Sequence, residues 1–319
     1  MPFFIKEGDI TEADTECIVI SADVSLKDTG GMRGELYKKV RNPQALEREC
    51  EKIGFCGSCE CVTTGSYGLD CKYVIHCVAP IFSQSGRRAE EYIRLCYRNS
   101  ISMAGKKLMK SVSLPLIGTG KKGFPKDMVL RSAICEIKDY LSKYDMDIFL
   151  VIKHRSSLIP DKTLIEEAEH YISEHYISAE SKYFYKNEVF AIGDVKEEKS
   201  DKGLPCPECA RVLSDALKKY RLKERKLYKK ANISRMTLRQ LINGSENKAV
   251  TKEEVLGIAA AFERNTEDMR SFIEKSGFEF SFSDKRDVII SMLTEKGIYD
   301  VFQINTLLFY FGEKQIGSI

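Results

Sequence analysis

Three stretches of this chain have residue types and spacing suited to chemistry. The first is Gly118-Thr119-Gly120-Lys121-Lys122-Gly123, followed by Phe124-Pro125. A glycine-rich turn lets backbone N–H groups converge on an anion, and a helix starting just after it adds favourable partial charge. Neither phosphate fingerprint fits. A P-loop needs Lys after its second Gly, where this chain has Phe124. A GxGxxG begun at Gly118 lacks the acidic residue about 20 positions on that reads a ribose. The second stretch is thiol-rich: Cys56-x-x-Cys59-x-Cys61 and Cys206-Pro-Glu-Cys209. The former runs into a strand pattern without a second paired cluster. The latter reads as half a zinc site, or as a linker or helix start carrying two thiols. No metal or cofactor is therefore expected. The third is basic: residues 211–250 hold 12 Lys/Arg against 3 Asp/Glu, so the chain's small net charge of +3 is concentrated there.

The glycine turn needs a strand before it and a helix after it. Ser113-Leu114-Pro115-Leu116-Ile117 has the length and bounding residues of a buried strand, and helical spacing begins near Lys126. Further strands are predicted at Phe3–Ile5, Cys17–Ile20, Cys59–Thr64, Tyr73–Val78 and Ile148–Ile152. Helices are predicted at Met32–Lys39, Gln44–Lys52, Glu90–Lys107 and Leu164–Ile177, with one more through Val129, Ile134, Ile137 and Leu141. Alternation of this kind predicts α/β architecture, a three-layer α/β/α fold on a mixed, largely parallel sheet. Ligands then bind at the carboxyl ends of the strands, so the loops after Ile20 and Ile117 face one crevice. His76, inside an apolar strand, reads as a core histidine.

Composition bounds the class. With 43% hydrophobic and 30% charged residues, and no run near 18 apolar residues, no membrane span is expected. Eleven cysteines sit mostly inside apolar runs, which points to free thiols, a reducing compartment and a cytoplasmic protein. The N-terminus lacks a signal-peptide pattern.

Four ordered blocks then resemble the macro domain family over about residues 1–178. They are Gly8-Asp9-Ile10-Thr11, the Ser21-Ala22-Asp23 loop with Gly30-Gly31, the strand ending His76-Cys77-Val78-Ala79-Pro80, and Leu116 to Pro125. The resemblance implies binding of ADP-ribose, free or on protein or nucleic acid, and in some members hydrolysis of ADP-ribosyl bonds or deacetylation of O-acetyl-ADP-ribose. It assigns Asp9 to the adenine amino group and Ile10 to the ring. Gly118, Thr119, Gly120, Lys121, Lys122, Gly123 and Phe124 fall in the diphosphate loop, while Ser21, Gly30 and Gly31 form the opposite wall. Two departures stand out. The Asn-Ala-Ala-Asn stretch of hydrolytic members is Ser21-Ala22-Asp23-Val24 here, and its second Asn aligns with Asp23 or Val24. The acid that orients water is replaced by Arg33, which has no acceptor and does not deprotonate. Asp23 is the remaining catalytic candidate. Lys121, Lys122 and Arg33 together imply a more cationic pocket and a more anionic ligand, unless both lysines face solvent.

Residues 179–205 read as a linker: the pattern loses periodicity there, and Lys196 to Gly203 is charged and apolar-poor. An all-helical domain is expected over 206–319. A helix over Glu224–Ala231, a turn at Asn232-Ile233 and a Ser234-capped helix to Ile242 resemble a repressor-type helix-turn-helix. Arg235 and Arg239 share one face of the second helix, as DNA contacts require. A protein-interaction bundle has the same outline. The whole chain resembles bacterial proteins that join a macro domain to such a helical domain, so the expected roles are reader, hydrolase or nucleotide-responsive regulator.

Overall fold

Short apolar runs become the six strands of one sheet: β1 (Phe3–Glu7), β2 (Cys17–Ala22), β3 (Cys61–Gly65), β4 (Tyr73–Val78), β5 (Ser111–Leu114) and β6 (Asp147–Ile152). Their order is β1-β6-β5-β2-β4-β3. Every neighbouring pair is parallel except β3 with β4, so the expected mixed, largely parallel sheet is present. The computed structural model describes residues 2–27, 30–158, 160–177, 204–245 and 248–318. They divide into two units, Phe3–Pro160 and one built from Asp161–Ile319.

In the first unit both sheet faces are covered. Ile18, Ile20, Val74, Val78, Phe149 and Val151 pack with Leu36 of α1 (Met32–Lys39) and with Leu46 and Cys50 of α2 (Pro43–Ile53). By strand alternation, Cys17 and Val19 turn to the other face. That face is served by the 18-residue helices α4 (Ala89–Lys106) and α5 (Lys126–Lys143), after the one-turn α3 (Phe82–Ser85). Glu136 of α5 is buried and accepts from Arg94 and Arg98 of α4 at 2.7–3.1 Å, a fork geometry that fixes the two helices together.

One expected strand is displaced. The run Ser113–Ile117 forms a ladder only over Ser111–Leu114, because Pro115 has no N–H to donate. The buried Tyr97 hydroxyl takes over, donating to Pro115 O at 2.8 Å and accepting from Ile117 N at 2.9 Å. The glycine turn thus starts from a fixed base.

The second unit begins with α6 (Lys162–His175), the helix expected to close the first domain. It is followed by α7 (Cys206–Tyr220), α8 (Glu224–Lys230), α9 (Arg235–Ile242), α10 (Lys252–Ala261), α11 (Thr266–Lys275), α12 (Lys285–Glu295) and α13 (Val301–Phe311). Tyr171 of α6 donates to Glu295 of α12 at 2.8 Å, and Glu167 pairs with Lys296 at 2.9 Å. Asn232 takes a left-handed turn at φ 56° between α8 and α9, and Ser234 caps α9 by accepting from Thr237 N at 2.9 Å. Thr251 and Glu254 form a reciprocal capping box on α10. A two-residue antiparallel ladder, β7 (Leu204–Pro205) with β8 (Ala249–Val250), is a small departure from the all-helical expectation. The expected linker otherwise lies outside the described residues.

Candidate functional site

The parallel strands all end on one edge of the sheet, and their carboxyl ends carry the chemistry. From β1 across to β4 these are Asp9, Lys153, the glycine turn, Asp23 and the Ile81-Phe82 segment. β1 and β2 are three strand spacings apart, about 14 Å at ordinary strand separation. The crevice is therefore long and has distinct ends.

At the β1 end lies a pocket of about 300 Å³ lined by Gly8, Asp9, Ile10, Thr11, Gly31, Met32, Glu35, Pro115, Val151 and Lys153. Asp9 Oδ1 accepts from Thr11 N at 2.9 Å and Thr11 Oγ1 at 2.7 Å, capping a single 3-10 turn. Its other oxygen makes no hydrogen bond among the described residues. Burial pushes this carboxyl up, but the two Thr11 bonds with Lys39 and Lys153 outweigh it and hold the group below its usual range. Asp9 is thus an ionised acceptor at neutral pH beside an apolar wall.

Midway along, Gly118 (φ 82°) and Gly123 (φ 76°) adopt left-handed backbone. A Cβ on Gly118 would sit 3.1 Å from the Phe124 ring and 3.2 Å from Ile93. The amides of Gly118, Gly120 and Lys122 make no hydrogen bond among the described residues. Opposite them, Gly31 (φ 65°) starts α1 without a side-chain cap. Uncapped first-turn amides and a turn with unspent N–H groups are the two halves of an anion cradle. Phe124 is buried beneath the turn, edge-on to Phe82 at 5.3 Å, so it supports the loop from below. Ser21, at the end of β2, is half-buried.

Two sequence expectations change here. Arg33 does not add charge to the crevice: it is 1% exposed and points into the core. Its guanidinium donates to His76 Nδ1 at 2.9 Å, Cys50 Sγ at 3.1 Å, Tyr37 Oη at 3.3 Å and the Leu26 carbonyl. The first turn of α1 aims this side chain at the sheet, which the alignment of an acid with Arg33 could not reveal. Lys122 does not face solvent alone either. Its Nζ lies 2.7 Å from Asp23 Oδ1, joining the glycine turn to the loop after β2. Lys121 lies near the Gly30 backbone. His76 is fully buried, as a core histidine.

Met32, Glu35 and Lys153 also line the pocket but were not singled out from sequence. The strand-end rule applied to β6 would have found Lys153, and i,i+3 spacing from Met32 would have found Glu35. On α9 of the other unit, Arg235, Met236 and Arg239 are exposed. Among the described residues no group of side chains is arranged to hold a metal ion, and no helix is long and apolar enough to cross a membrane.

A largely parallel α/β/α unit with the Asp9 pocket and the glycine turn along its strand ends is the macro fold. The chain belongs to the macro domain family, whose model matches residues 19–133. A macro domain-containing protein of Methanosarcina mazei is 32% identical over 155 residues, covering 48% of this chain and 82% of that protein. The ADP-ribose glycohydrolase MACROD2 of Xenopus laevis is 31% identical over 138 residues, 43% of this chain and 32% of its own length. A Trypanosoma brucei macrodomain solved in complex with ADP-ribose is 28% identical, with a TM-score of 0.44 over 49% of this chain and 65% of that one.

Proposed function

We propose that the first unit binds ADP-ribose or a related ADP-ribosyl nucleotide and acts as its reader. The observation that carries this is Asp9, an ionised acceptor with one unspent oxygen, set about 14 Å of sheet away from Asp23 with the glycine cradle between them. In this reading Asp9 takes the adenine amino group and Ile10 lines the ring. Gly30, Gly31, Thr119 and the amides of the 118–123 turn hold the diphosphate. Ser21 and Asp23 stand by the distal ribose. Asp9→Ala is expected to weaken ADP-ribose binding about 10- to 100-fold, the worth of one charge-assisted hydrogen bond. Calorimetric titration of the full chain measures it, and unchanged affinity would sink the assignment.

A second reading, hydrolysis of an ADP-ribosyl bond, rests on Asp23, the acid at the distal end, and on the glycohydrolase named among the relatives. Release of ADP-ribose from a modified protein by wild type, lost in Asp23→Ala, would favour it. For the helical unit, the exposed Arg235 and Arg239 on α9 support a nucleic-acid-contacting surface. Electrophoretic shifts with duplex DNA should then weaken steeply with salt, with the log–log slope reduced by about two in Arg235→Ala/Arg239→Ala. No shift at low salt would leave protein partners for this unit.

A further inference from the structure

Four thiols gather where β3, β4 and α4 meet. Val78 at the end of β4 faces two residues just before β3: its N–H donates to Glu60 O at 3.1 Å, and its carbonyl accepts from Cys59 N at 2.7 Å. This is a β-bulge, and Cys59 takes it up with a left-handed φ of 66°. Cys61 and Cys77 are direct cross-strand partners. With the Glu60–Val78 bond beside them they form a non-hydrogen-bonded pair, the kind whose side chains lie closest. Cys59 is held against α4 on both sides of Cys96. Its thiol donates to Tyr92 O at 3.6 Å, and its carbonyl accepts from Asn99 Nδ2 at 2.8 Å. Tyr92, Cys96 and Asn99 share one helix face by their spacing. The four sulfurs make one row, in which Cys61 hydrogen-bonds to Cys77, Cys77 to Cys96 and Cys96 to Cys59.

The ends of the row differ. Cys59 lies between the exposed Ser58 and Glu60, whereas Cys77 and Cys96 are fully buried. The hydrogen bond received from Cys96 holds the Cys59 thiol below its usual range, although burial pushes it up. Giving that bond, together with burial, pushes the Cys96 thiol well up. A nucleophilic sulfur near solvent thus has a protonated one behind it.

We propose that Cys59 and Cys96 are a peroxide-reactive dithiol that closes reversibly to a disulfide. The Cys59 thiolate attacks one oxygen of hydrogen peroxide. The O–O bond breaks, hydroxide leaves and takes up a proton as water, and Cys59 becomes a sulfenic acid. The Cys96 sulfur then attacks the Cys59 sulfur, the S–O bond breaks, and the hydroxyl leaves as water with the Cys96 proton. Peroxide gains the two electrons that the two thiols lose. A thiol reductant reopens the bond by exchange.

The test exposes the full chain to hydrogen peroxide at neutral pH, blocks the remaining thiols under denaturing conditions and maps tryptic peptides by mass spectrometry. Wild type should first lose about two thiols per chain, as a link between the 53–72 and 95–98 peptides, and regain both with dithiothreitol. Fragmentation places the link, since the 53–72 peptide also holds Cys56, Cys61 and Cys71. Cys135, exposed on α5, is the internal reference and should still be reduced at that point. The link should be absent in Cys59→Ser and present in Cys61→Ser, with circular dichroism reporting that each variant is folded. Oxidation of Cys135 ahead of the row, a first link between Cys61 and Cys77, or Cys59 driven to sulfinic acid without a link would overturn the proposal.

Discussion

Acidification from pH 7 to pH 4.5 is expected to weaken the sheet unit by roughly 3 kcal/mol through one residue, His76. His76 is fully buried on β4, and its surroundings fix both its tautomer and its charge. Arg33 can only donate, so Nδ1 accepts; Nε2 then carries the proton and faces Thr64 Oγ1 at 2.8 Å, and that hydroxyl donates to Gly65 O. Burial first, and the Arg33 charge second, push the imidazole down to about 3. The unfolded chain takes up a proton near the ordinary histidine value, while the folded one does so only near pH 3. Between those values the unfolded state binds more protons. The stabilisation is therefore complete above about pH 6.5 and is lost progressively as pH falls. His76→Gln keeps an acceptor and a donor but cannot titrate, so its stability should fall much less over this range. Hydrogen exchange at the β2 and β4 amides, compared between wild type and variant at both pH values, measures the difference. Parallel pH profiles would show that His76 ionises freely in the folded protein.

The same residues show what was legible in the sequence and why. β2, β4 and β6 were readable because a strand covered on both faces needs an unbroken apolar run. The glycine turn was readable because positive φ angles at Gly118 and Gly123 leave few alternatives to glycine. Ser234 and Thr251 were readable as caps because the signal is local. The direction of a long side chain is not local. Arg33 aligned with an acid by position, yet the turn of α1 delivers its guanidinium to His76, 43 residues away. The Lys122–Asp23 pair spans 99 residues and depends on β5 lying beside β2. The long-range charge in the helical unit was equally hidden, because Lys252 and Asp287 look like ordinary surface residues of two amphipathic helices.

Lys252→Met is expected to destabilise the helical unit by about 3–5 kcal/mol, although the substitution puts an apolar chain of similar length where the residue is only 6% exposed. Lys252, in the first turn of α10, reaches Asp287 of α12 at 2.7 Å and Asp284 at 2.9 Å. Arg286 pairs in turn with Glu253 at 2.6 Å and with Asp284 at 3.2 Å. Asp284 thus keeps a partner when Lys252 is lost. Asp287 keeps only the Ser281 amide on Oδ2, and its Oδ1 has no hydrogen bond among the described residues. Even with Lys252 present, burial pushes the Asp287 carboxyl up to about 6. Without the lysine that group rises further, so the folded variant holds a proton that the unfolded chain releases, and stability falls as pH rises. The damage should therefore be greater at pH 8 than at pH 5. Adding Asp287→Asn to Lys252→Met removes the stranded charge, and the double variant should be more stable than Lys252→Met alone, a non-additivity that marks direct coupling. Hydrogen exchange in α10 and α12 locates the loss. Additive effects, or equal damage at both pH values, would mean that water reaches Asp287 and that the cluster acts as a surface ion pair.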